Sequence, residues 1–300
     1  MNFTLHQLRV FGMVARHKSM TEAARQLHMS QPAVSIQIKQ LQESVGIPLI
    51  DVVGRKLYLT NAGERLYDAY TNINQELESF DSAVSELQGG LKGTLSISAA
   101  STAKYFVPYL LGEFQQRYPL VKISLKVTNR NEVLRHLSEN EFDLAVLTQL
   151  PDGDSIEAIP FFDNPLVMAA PPEHPLTKCK TVTSEQLAEQ THIYRELGSG
   201  TRMVMERYLG KKGIPVKPAM ELSTNEAVKQ AIMAGIGISV ISRLSMGNEL
   251  SLDQISILQI DDFPILTRWH MLYKKEKKLS PVTQNFISFL QEKNLEQYTP

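Results

Sequence analysis

The chain has 300 residues, of which 43% are hydrophobic, and its formal net charge is −1 at neutral pH. Such a length predicts two or three domains, and the hydrophobic content is sufficient for packed cores and excludes a disordered chain. The single cysteine, Cys179, excludes an intramolecular disulfide and a cysteine-rich zinc site, and it indicates a reducing compartment.

Positive charge is concentrated at the beginning of the chain. Residues 1–61 hold seven lysines and arginines against three acidic residues, whereas the remainder carries a net charge of −5. A basic N-terminal module on an acidic body is typical of a nucleic-acid-binding head attached to a body with another task.

Two helices are predicted at the start of this head, which we take as residues 1–60. Apolar residues at helical spacing predict a first helix over residues 5–17. Ser19 is a candidate N-cap, with Glu22 three residues later as the partner of a capping box, so a second helix follows, with Ala23, Ala24 and Leu27 on its inner face.

A third helix is predicted to begin after Ser30, to tolerate Pro32 in its first turn and to end at Gly46. Its apolar stripe consists of Val34, Ile38, Leu41 and Val45. The polar side chains off that stripe are Gln31, Ser35, Gln37, Lys39 and Gln40. Glutamine and serine side chains can hydrogen-bond to base edges, and lysine can bind phosphate. The second and third helices together therefore predict a helix-turn-helix that binds double-stranded DNA.

A basic turn follows the third helix. Two short apolar runs flank Gly54-Arg55-Lys56 and predict a β-hairpin wing with Arg55 and Lys56 at its tip. Each piece alone could be a solvated helix or an ordinary hairpin, but the wing, the local charge and the N-terminal position together favour DNA binding.

Four segments of the head follow a recognisable pattern: Leu8-Arg-Val-Phe11, Ala23-Ala-Arg-Gln-Leu27, Ser30-Gln-Pro-Ala-Val-Ser35 and Leu59-Thr-Asn-Ala-Gly63. In combination they resemble the LysR-type transcriptional regulators, and the resemblance extends over nearly the whole chain. It implies a winged helix-turn-helix in which Gln31, Pro32 and Ser35 lie at base edges while Arg55 and Lys56 contact the DNA backbone.

The head departs from the family pattern at three positions. Many members carry arginine where this chain has Ile36, and phenylalanine and arginine in the wing where it has Ile50 and Val52. An isoleucine cannot bind phosphate, so two interpretations of Ile36 remain open: contact with a thymine methyl group, or contact with a neighbouring side chain.

A long helix is predicted over the linker, residues 61–90. Its apolar positions alternate at spacings of four and three residues and are Leu66, Tyr70, Ile73, Leu77, Phe80, Val84 and Leu87. This heptad pattern predicts a coiled coil that pairs two heads on an inverted-repeat DNA site, although a helix lying on its own domain would show a similar stripe. Gly89, Gly90 and Gly93 mark its end and a hinge.

Residues 91–300 alternate predicted strands and helices. This βαβ rhythm predicts an α/β body of parallel sheets with helices on both faces, in which ligands bind at the carboxyl ends of strands. A second unit begins near Asn164, so we expect lobe I to comprise residues 91–163 and 268–300 and lobe II residues 164–267. Two such lobes resemble a periplasmic binding protein, and the LysR family has the same body.

Three loops at predicted strand ends carry groups that suit an anion. They contribute Ser101 and Thr102; Thr128, Asn129 and Arg130; and Arg195, Gly200, Thr201 and Arg202. Hydroxyls, helix-start N–H groups and arginines bind carboxylate or phosphate. Each loop alone is more often an ordinary N-cap, but three at equivalent strand ends favour a binding cleft, and the family resemblance implies that the same loops line the effector site.

The body is most similar to LysR-type regulators of RuBisCO and other carbon-fixation genes. The segments that carry this similarity are residues 105–108, 127–130, 163–167, 198–202, 205–207 and 225–230. The resemblance implies a small anionic effector, for example a phosphorylated metabolite, and no other cofactor. It implies a homodimer or homotetramer that activates or represses transcription, with RNA polymerase as a further partner.

Other classes of protein fit less well. The chain has no Walker loop, HExxH or GxSxG motif, and residues 198–203 match only half of a dinucleotide-binding fingerprint, so we expect no enzyme and no metal site. A metabolite-binding protein without a DNA role would not need the basic head. No signal-peptide run opens the sequence and residues 231–241 are too short to span a membrane, so we expect a cytoplasmic protein.

Overall fold

The structure is a computed structural model that describes residues 2–54, 56–87, 90–215, 218–293 and 295, with the side chains of residues 82, 86 and 87 excepted. It divides into two compact units, Met1–Asp81 and Ser82–Pro300. Among the described residues, no helix is both long and apolar enough to cross a bilayer.

The first unit is a three-helix head followed by a hairpin and a long helix. Its elements are α1 (Leu5–His17), α2 (Met20–Leu27), α3 (Gln31–Val45), β1 (Ile50–Val53), β2 (Lys56–Leu59) and α4 (Asn61–Leu87). The side chain of Ser19 accepts a hydrogen bond from Glu22 N and that of Ser30 from Ala33 N, so both predicted N-caps are present. Gly46 ends α3 with a φ of +85°.

The capping box expected at Ser19 is only half formed. The carboxylate of Glu22 accepts hydrogen bonds from Arg25 and Gln26 instead of returning to the backbone of Ser19. A complete capping box stands at the start of α1, where Thr4 and Gln7 satisfy each other's backbone N–H groups. The arginine one turn ahead outcompetes a backbone N–H for the Glu22 carboxylate because the charged pair is the stronger bond.

The apolar stripe of α4 has two parts within the first unit. Leu66 packs against the hydrophobic core of the head. Tyr70 lies against Gly12 of α1, where a Cβ would be 2.0 Å from the tyrosine Cε1. One turn further on the stripe is exposed to solvent, at Ile73, Leu77 and Phe80. The start of α4 therefore belongs to the head, and only its continuation leaves an apolar surface uncovered.

The second unit alternates strands and helices. Its strands are β3 (Gly93–Ala100), β4 (Val121–Thr128), β5 (Leu144–Leu147), β6 (Ile156–Ala170), β7 (Ile193–Arg195), β8 (Met220–Leu222), β9 (Ser239–Ser242), β10 (Ser256–Ile257) and β11 (Ile265–Lys274). Its helices are α5 (Val107–Arg117), α6 (Arg130–Ser138), α7 (Ser184–Ala188), α8 (Gly200–Lys211), α9 (Asn225–Met233), α10 (Gly247–Ser251) and α11 (Pro281–Gln291), and the short 3₁₀ turns are Ser101–Tyr105, Pro175–Lys178 and Arg243–Ser245.

The expectation of parallel sheets is confirmed in part, because the main sheet is mixed. Strands β4, β3 and β5 are parallel neighbours as predicted, but β11 pairs antiparallel with both β5 and β6 in one seven-stranded sheet. The reason is connectivity: the chain enters lobe II along β6 and returns to lobe I along β11, so the two crossover strands run in opposite directions. A separate parallel pair, β7 with β8, belongs to lobe II.

Each lobe has a hydrophobic core of its own. In lobe I the core includes Phe106, Phe114 and Phe286, and it also holds Trp269, the only tryptophan of the chain. In lobe II a core around Tyr194 lies on one side of β6 and β9, and a second cluster around Ile232 lies on the other. The body thus consists of two separately packed lobes that the crossover strands β6 and β11 join.

Candidate functional site

The solvent face of α3 carries the predicted DNA contacts. Val34, Ile38 and Leu41 are buried in the head. On the other faces of this helix the structure places Gln31, Pro32, Ser35, Gln37 and Lys39, of which Gln31, Pro32 and Lys39 are exposed while Ser35 and Gln37 are half-buried. A helix that is buried on one side and presents polar side chains to solvent on its other faces has the form needed to lie in a major groove.

The predicted wing is a four-pair antiparallel hairpin, with Gly54 in its turn at a φ of +64°. Lys56 is exposed at the tip, and Arg55 lies outside the described residues. A residue that sequence reasoning did not single out fixes the hairpin to α3: Gln42 Oε1 accepts hydrogen bonds from Leu49 N at 2.9 Å and Ile50 N at 3.2 Å. Helix α3 and the wing are therefore joined by direct hydrogen bonds.

A cavity of about 370 Å³, counted with the solvent at its mouth, lies between the two lobes of the second unit. We call it the interlobe cavity. Its wall is formed by Ala100, Ser101, Thr102, Asn129, Arg130, Leu147, Thr148, Gln149, Asn164, Ser199, Gly200, Thr201 and Trp269. The structure thus brings six of the nine predicted effector-site residues to one wall: Ser101, Thr102, Asn129, Arg130, Gly200 and Thr201.

Helices α6 and α8 both begin at this wall. Asn129 caps α6, its Oδ1 accepting a hydrogen bond from Glu132 N at 3.0 Å. Ser199 caps α8, its Oγ accepting from Arg202 N at 3.5 Å. Since a helix N-terminus carries partial positive charge and free N–H groups, both ends favour an anion in the cavity.

Arg130 adds a full positive charge to the same wall. Its Nε donates to the carbonyl of Gln149 at 3.0 Å and its Nη2 to the carbonyl of Leu150 at 3.2 Å. Partial burial lowers the pKa of Arg130, yet an arginine remains charged at physiological pH. The two carbonyl contacts hold the guanidinium at the end of β5, beside the cavity.

Three of the predicted residues do not line the cavity. Thr128 is the last residue of β4 and pairs with Ala100. Arg195 is buried, and it donates to the carboxylate of Glu196 at 2.8 Å, to Ser101 Oγ at 3.0 Å and to Asn225. Its guanidinium therefore stands behind the wall and reaches the cavity through the Ser101 hydroxyl.

Arg202 is also bound to protein groups. Its Nε donates to Glu206 at 2.7 Å, and its Nη1 donates to Glu221 at 2.5 Å and to the carbonyl of Arg195 at 2.9 Å. The guanidinium lies 5.6 Å from the ring centre of Tyr194. The Arg202 side chain therefore lies toward β7 and is buried, and it does not line the cavity.

Bonds between the lobes continue along the 3₁₀ turn at Ser101–Tyr105. Asn225 Nδ2 donates to Thr102 Oγ1 at 3.0 Å, and the carboxylate of Glu226 accepts hydrogen bonds from Lys104 and Tyr105. Together with the Arg195–Ser101 bond, these contacts form a set that we call the interlobe clasp. Ser101 and Thr102 belong both to the clasp and to the cavity wall.

Sequence reasoning missed Thr148, Gln149, Asn164, Ser199 and Trp269. Thr148 and Gln149 directly follow β5, so the rule that placed the other loops at strand ends could have found them. Asn164 is buried in a crossover strand, where it accepts from Ser242 Oγ at 2.6 Å and donates to Thr267 Oγ1 at 2.9 Å. No local signal in the sequence marks a crossover strand as part of a wall.

Known protein families match both parts of the chain. A family described as bacterial regulatory helix-turn-helix protein, lysR family, matches residues 5–64. A second family, described as LysR substrate binding domain, matches residues 88–294. The first covers the head with its wing, and the second covers both lobes of the body.

Three similar proteins match two thirds of the chain or more. The chain is 43% identical over 289 residues to the HTH-type transcriptional activator CmpR of Synechocystis sp., covering 96% of this chain and 95% of that protein. It is 40% identical over 290 residues to the RuBisCO operon transcriptional regulator of Allochromatium vinosum, covering 97% of this chain and 96% of that protein. The regulatory domain of Synechocystis CcmR in complex with 2-PG is 40% identical, with a TM-score of 0.65, and covers 67% of this chain and 98% of that structure.

These full-length relatives are regulators rather than enzymes, and the similarity to the carbon-fixation subgroup is confirmed. The arrangement found here, a winged helix-turn-helix followed by a two-lobed α/β body, agrees with both matched families. The chain therefore belongs to the LysR family of DNA-binding, ligand-responsive transcriptional regulators.

Proposed function

We propose that a small anionic metabolite binds in the interlobe cavity and changes how this regulator binds its promoter DNA. The observation that carries the proposal is the meeting of two helix N-termini, those of α6 and α8, with the Arg130 guanidinium around one cavity. All three favour negative charge. That a 40% identical regulatory domain was solved in complex with 2-PG supports a small-molecule ligand for this body.

The interlobe clasp supplies a route from the cavity to the lobes. Ser101 and Thr102 accept hydrogen bonds from Arg195 and Asn225 of lobe II. A ligand oxygen that binds these hydroxyls changes the groups available to the clasp, so it favours one lobe arrangement over another. In the proposed mechanism the lobes close or rotate, and body-to-body contacts change in a homodimer or a dimer of dimers.

The exposed stretch of α4 supports pairing of two copies. Ile73, Leu77 and Phe80 keep heptad spacing and lie in solvent, as the seam of a coiled coil would before its partner binds. A two-fold dimer places two α3 helices on an inverted repeat, for which Gln31, Pro32, Ser35, Gln37 and Lys39 are the proposed contacts of α3, with Arg55 and Lys56 from the wing. Changes in half-site spacing and DNA bend would then alter the access of RNA polymerase to the promoter and so activate or repress transcription. This regulation would take place in the cytoplasm.

A DNA-protection footprint tests this function. The region upstream of the protein's own gene is probed at moderate salt, with 2-PG and with a panel of sugar phosphates and organic acids. The expected result is a protected inverted repeat whose length or affinity changes with one of these anions. Protection that no anion of the panel alters contradicts the ligand proposal, whereas absence of protection on this region and on every fragment selected from genomic DNA contradicts the promoter role.

A further inference from the structure

The centre of the exposed face of α3 is apolar. Successive residues of an α-helix are rotated by about 100°, so Ile36 stands opposite the buried stripe formed by Val34, Ile38 and Leu41. Ile36 is 55% exposed. Pro32 and Lys39, one turn before and one turn after it, are exposed on the same side. The head of this DNA-binding protein therefore presents an isoleucine at the middle of the helix face that meets the major groove.

The structure favours one of the two interpretations of Ile36. A side chain that served only to contact its neighbours would be covered by them, but Ile36 is neither in the hydrophobic core of the head nor among the partly buried residues packed against it. Its exposed branched side chain has no polar atom, so it cannot bind a phosphate or a base amide. What remains for it in a major groove is an apolar surface.

The only methyl group on the base edges of the major groove is the C5 methyl of thymine. We infer that Ile36 reads a thymine methyl in each half-site, and that this contact is a determinant of operator sequence. The inference rests on the DNA-binding role of the family. The half-buried polar residues on either side of Ile36, Ser35 and Gln37, are placed to meet neighbouring base edges. The exposed side chain of Lys39 is placed to meet phosphate.

The charge of the face agrees with this division of labour. Lys39 is 3.9 Å from the carboxylate of Glu43 one turn later, and both side chains are largely exposed. Such a surface pair is weak and exchanges readily for a phosphate contact. Ile36 cannot exchange one polar partner for another, so its contribution to binding depends on the apolar area that is removed from water. That area varies with base sequence, because only some base pairs carry a methyl group.

The experiment removes the methyl group and nothing else. A duplex is selected from a random pool by the full-length protein, and each thymine in turn is replaced by deoxyuridine, which keeps the base-pairing edge and the charge. At one position in each half-site we expect about fourfold weaker binding, which corresponds to one buried methyl group. In I36A the same substitution should have no effect, while the remaining thymines behave as in the wild type.

Ile47→Ala is the matched control, since Ile47 is an equally exposed isoleucine of the head (52%) that lies beyond the end of α3. I47A should keep the wild-type pattern of deoxyuridine effects. I36V keeps part of the apolar surface and should keep part of the sensitivity, with thermal unfolding of all three variants establishing that the head is folded. The inference is overturned if the wild type and I36A are equally sensitive to deoxyuridine at every position, or if neither is sensitive at any position. The affinity of the wild type for the unmodified duplex separates that outcome from a failure to bind DNA.

Discussion

Arg195 of lobe II donates a hydrogen bond from Nη2 to the Oγ of Ser101 in lobe I, at 3.0 Å. The donor is buried and the acceptor lines the interlobe cavity. A ligand that binds the Ser101 hydroxyl therefore meets a group already tied to the opposite lobe. The hydrogen bond therefore links the cavity wall in lobe I directly to a buried side chain of lobe II.

Replacement of Arg195 by alanine should lower the free energy of unfolding by about 2–4 kcal/mol, because a buried cation with several hydrogen bonds is removed. The partners left behind are Glu196, Asn225 and Ser101. Urea unfolding of the full chain measures the loss. The control is Arg268→Ala, whose pair with Asp163 is exposed and should contribute about 0–1 kcal/mol. Equal losses in the two variants would contradict a structural role for the clasp.

Replacement of Arg130 by glutamine should weaken binding of an anionic ligand about tenfold or more, because a charge-assisted bond from the wall is lost. Calorimetric titration with the anion identified by footprinting measures the affinity.

Arg202→Ala should also blunt the ligand response, since Arg202 supports the Arg195 carbonyl, while basal DNA affinity stays unchanged.

Arg207→Ala is the control for both variants, because Arg207 is an exposed arginine of α8 that carries the same charge. It should leave the ligand affinity and the DNA affinity as they are. If Arg202→Ala reduces ligand response and basal DNA binding equally, Arg202 serves the stability of lobe II rather than the cavity.

A glutamate in place of Phe80 should raise the dimer dissociation constant at least about a hundredfold, because two buried phenylalanines of a symmetric seam are lost together. Phe80 is 70% exposed within its own chain, so the substitution leaves the head folded. Sedimentation equilibrium measures the change. Gln75→Glu adds the same charge on the other side of α4 and should leave the dimer intact; a dimer that both variants preserve would place the seam elsewhere.

The stability of the body should depend on pH through Glu226. Burial would raise the pKa of this carboxyl, but hydrogen bonds from Lys104 and Tyr105 outweigh it and lower the pKa to about 2. A carboxylate with a depressed pKa in the folded state stabilises the fold above its unfolded pKa, and that contribution disappears as the pH falls from about 4.5 toward 2. The side chain is 48% exposed, so the contribution is modest.

Glu226→Gln tests this dependence. The variant should be less stable than the wild type by about 0.5–1 kcal/mol at pH 7, and the difference should shrink as the pH is lowered through 4 and 3. Tyr105→Phe removes one of the two donors and should produce a smaller difference with the same direction. A deficit in E226Q that is as large at pH 3 as at pH 7 would assign the effect to packing instead.

The head could be predicted closely from the sequence because its signals are local. Ser30 caps α3 and Gly46 ends it, and each acts within one turn of its own position. The division of the heptad stripe could not be predicted. Whether Tyr70 faces a partner chain or Gly12 of its own head is decided by how α1 lies against α4, which spacing along one helix does not contain.

The body shows a similar boundary between local and distant causes. The loops at Ser101 and Asn129 could be placed together because the parallel strands β3 and β4 end at the same edge of one sheet, whereas Gly200 follows β7 in the other lobe. The positions of the Arg195 and Arg202 guanidinium groups could not be predicted, since their acceptors include residues that are distant in the sequence. Arg202 has two carboxylate acceptors. Glu206 lies four residues later in the same helix, a spacing that can be recognised in the sequence, but Glu221 belongs to strand β8, which is distant in the sequence.

The two crossover strands constrain how the body can respond to a ligand. Residues Ile265–Lys274 of β11 pair with β6 along the full length of β11, so the linkers between the lobes form one hydrogen-bonded ribbon rather than two independent tethers. Sliding one lobe past the other would break that ladder, whereas winding or bending the ribbon would not. The ladder shifts register between Trp269 and His270, and Trp269 is part of the cavity wall. The proposed ligand site therefore lies beside a register shift in the ribbon that joins the lobes, so a bound anion would meet this ribbon at an irregular point of its ladder.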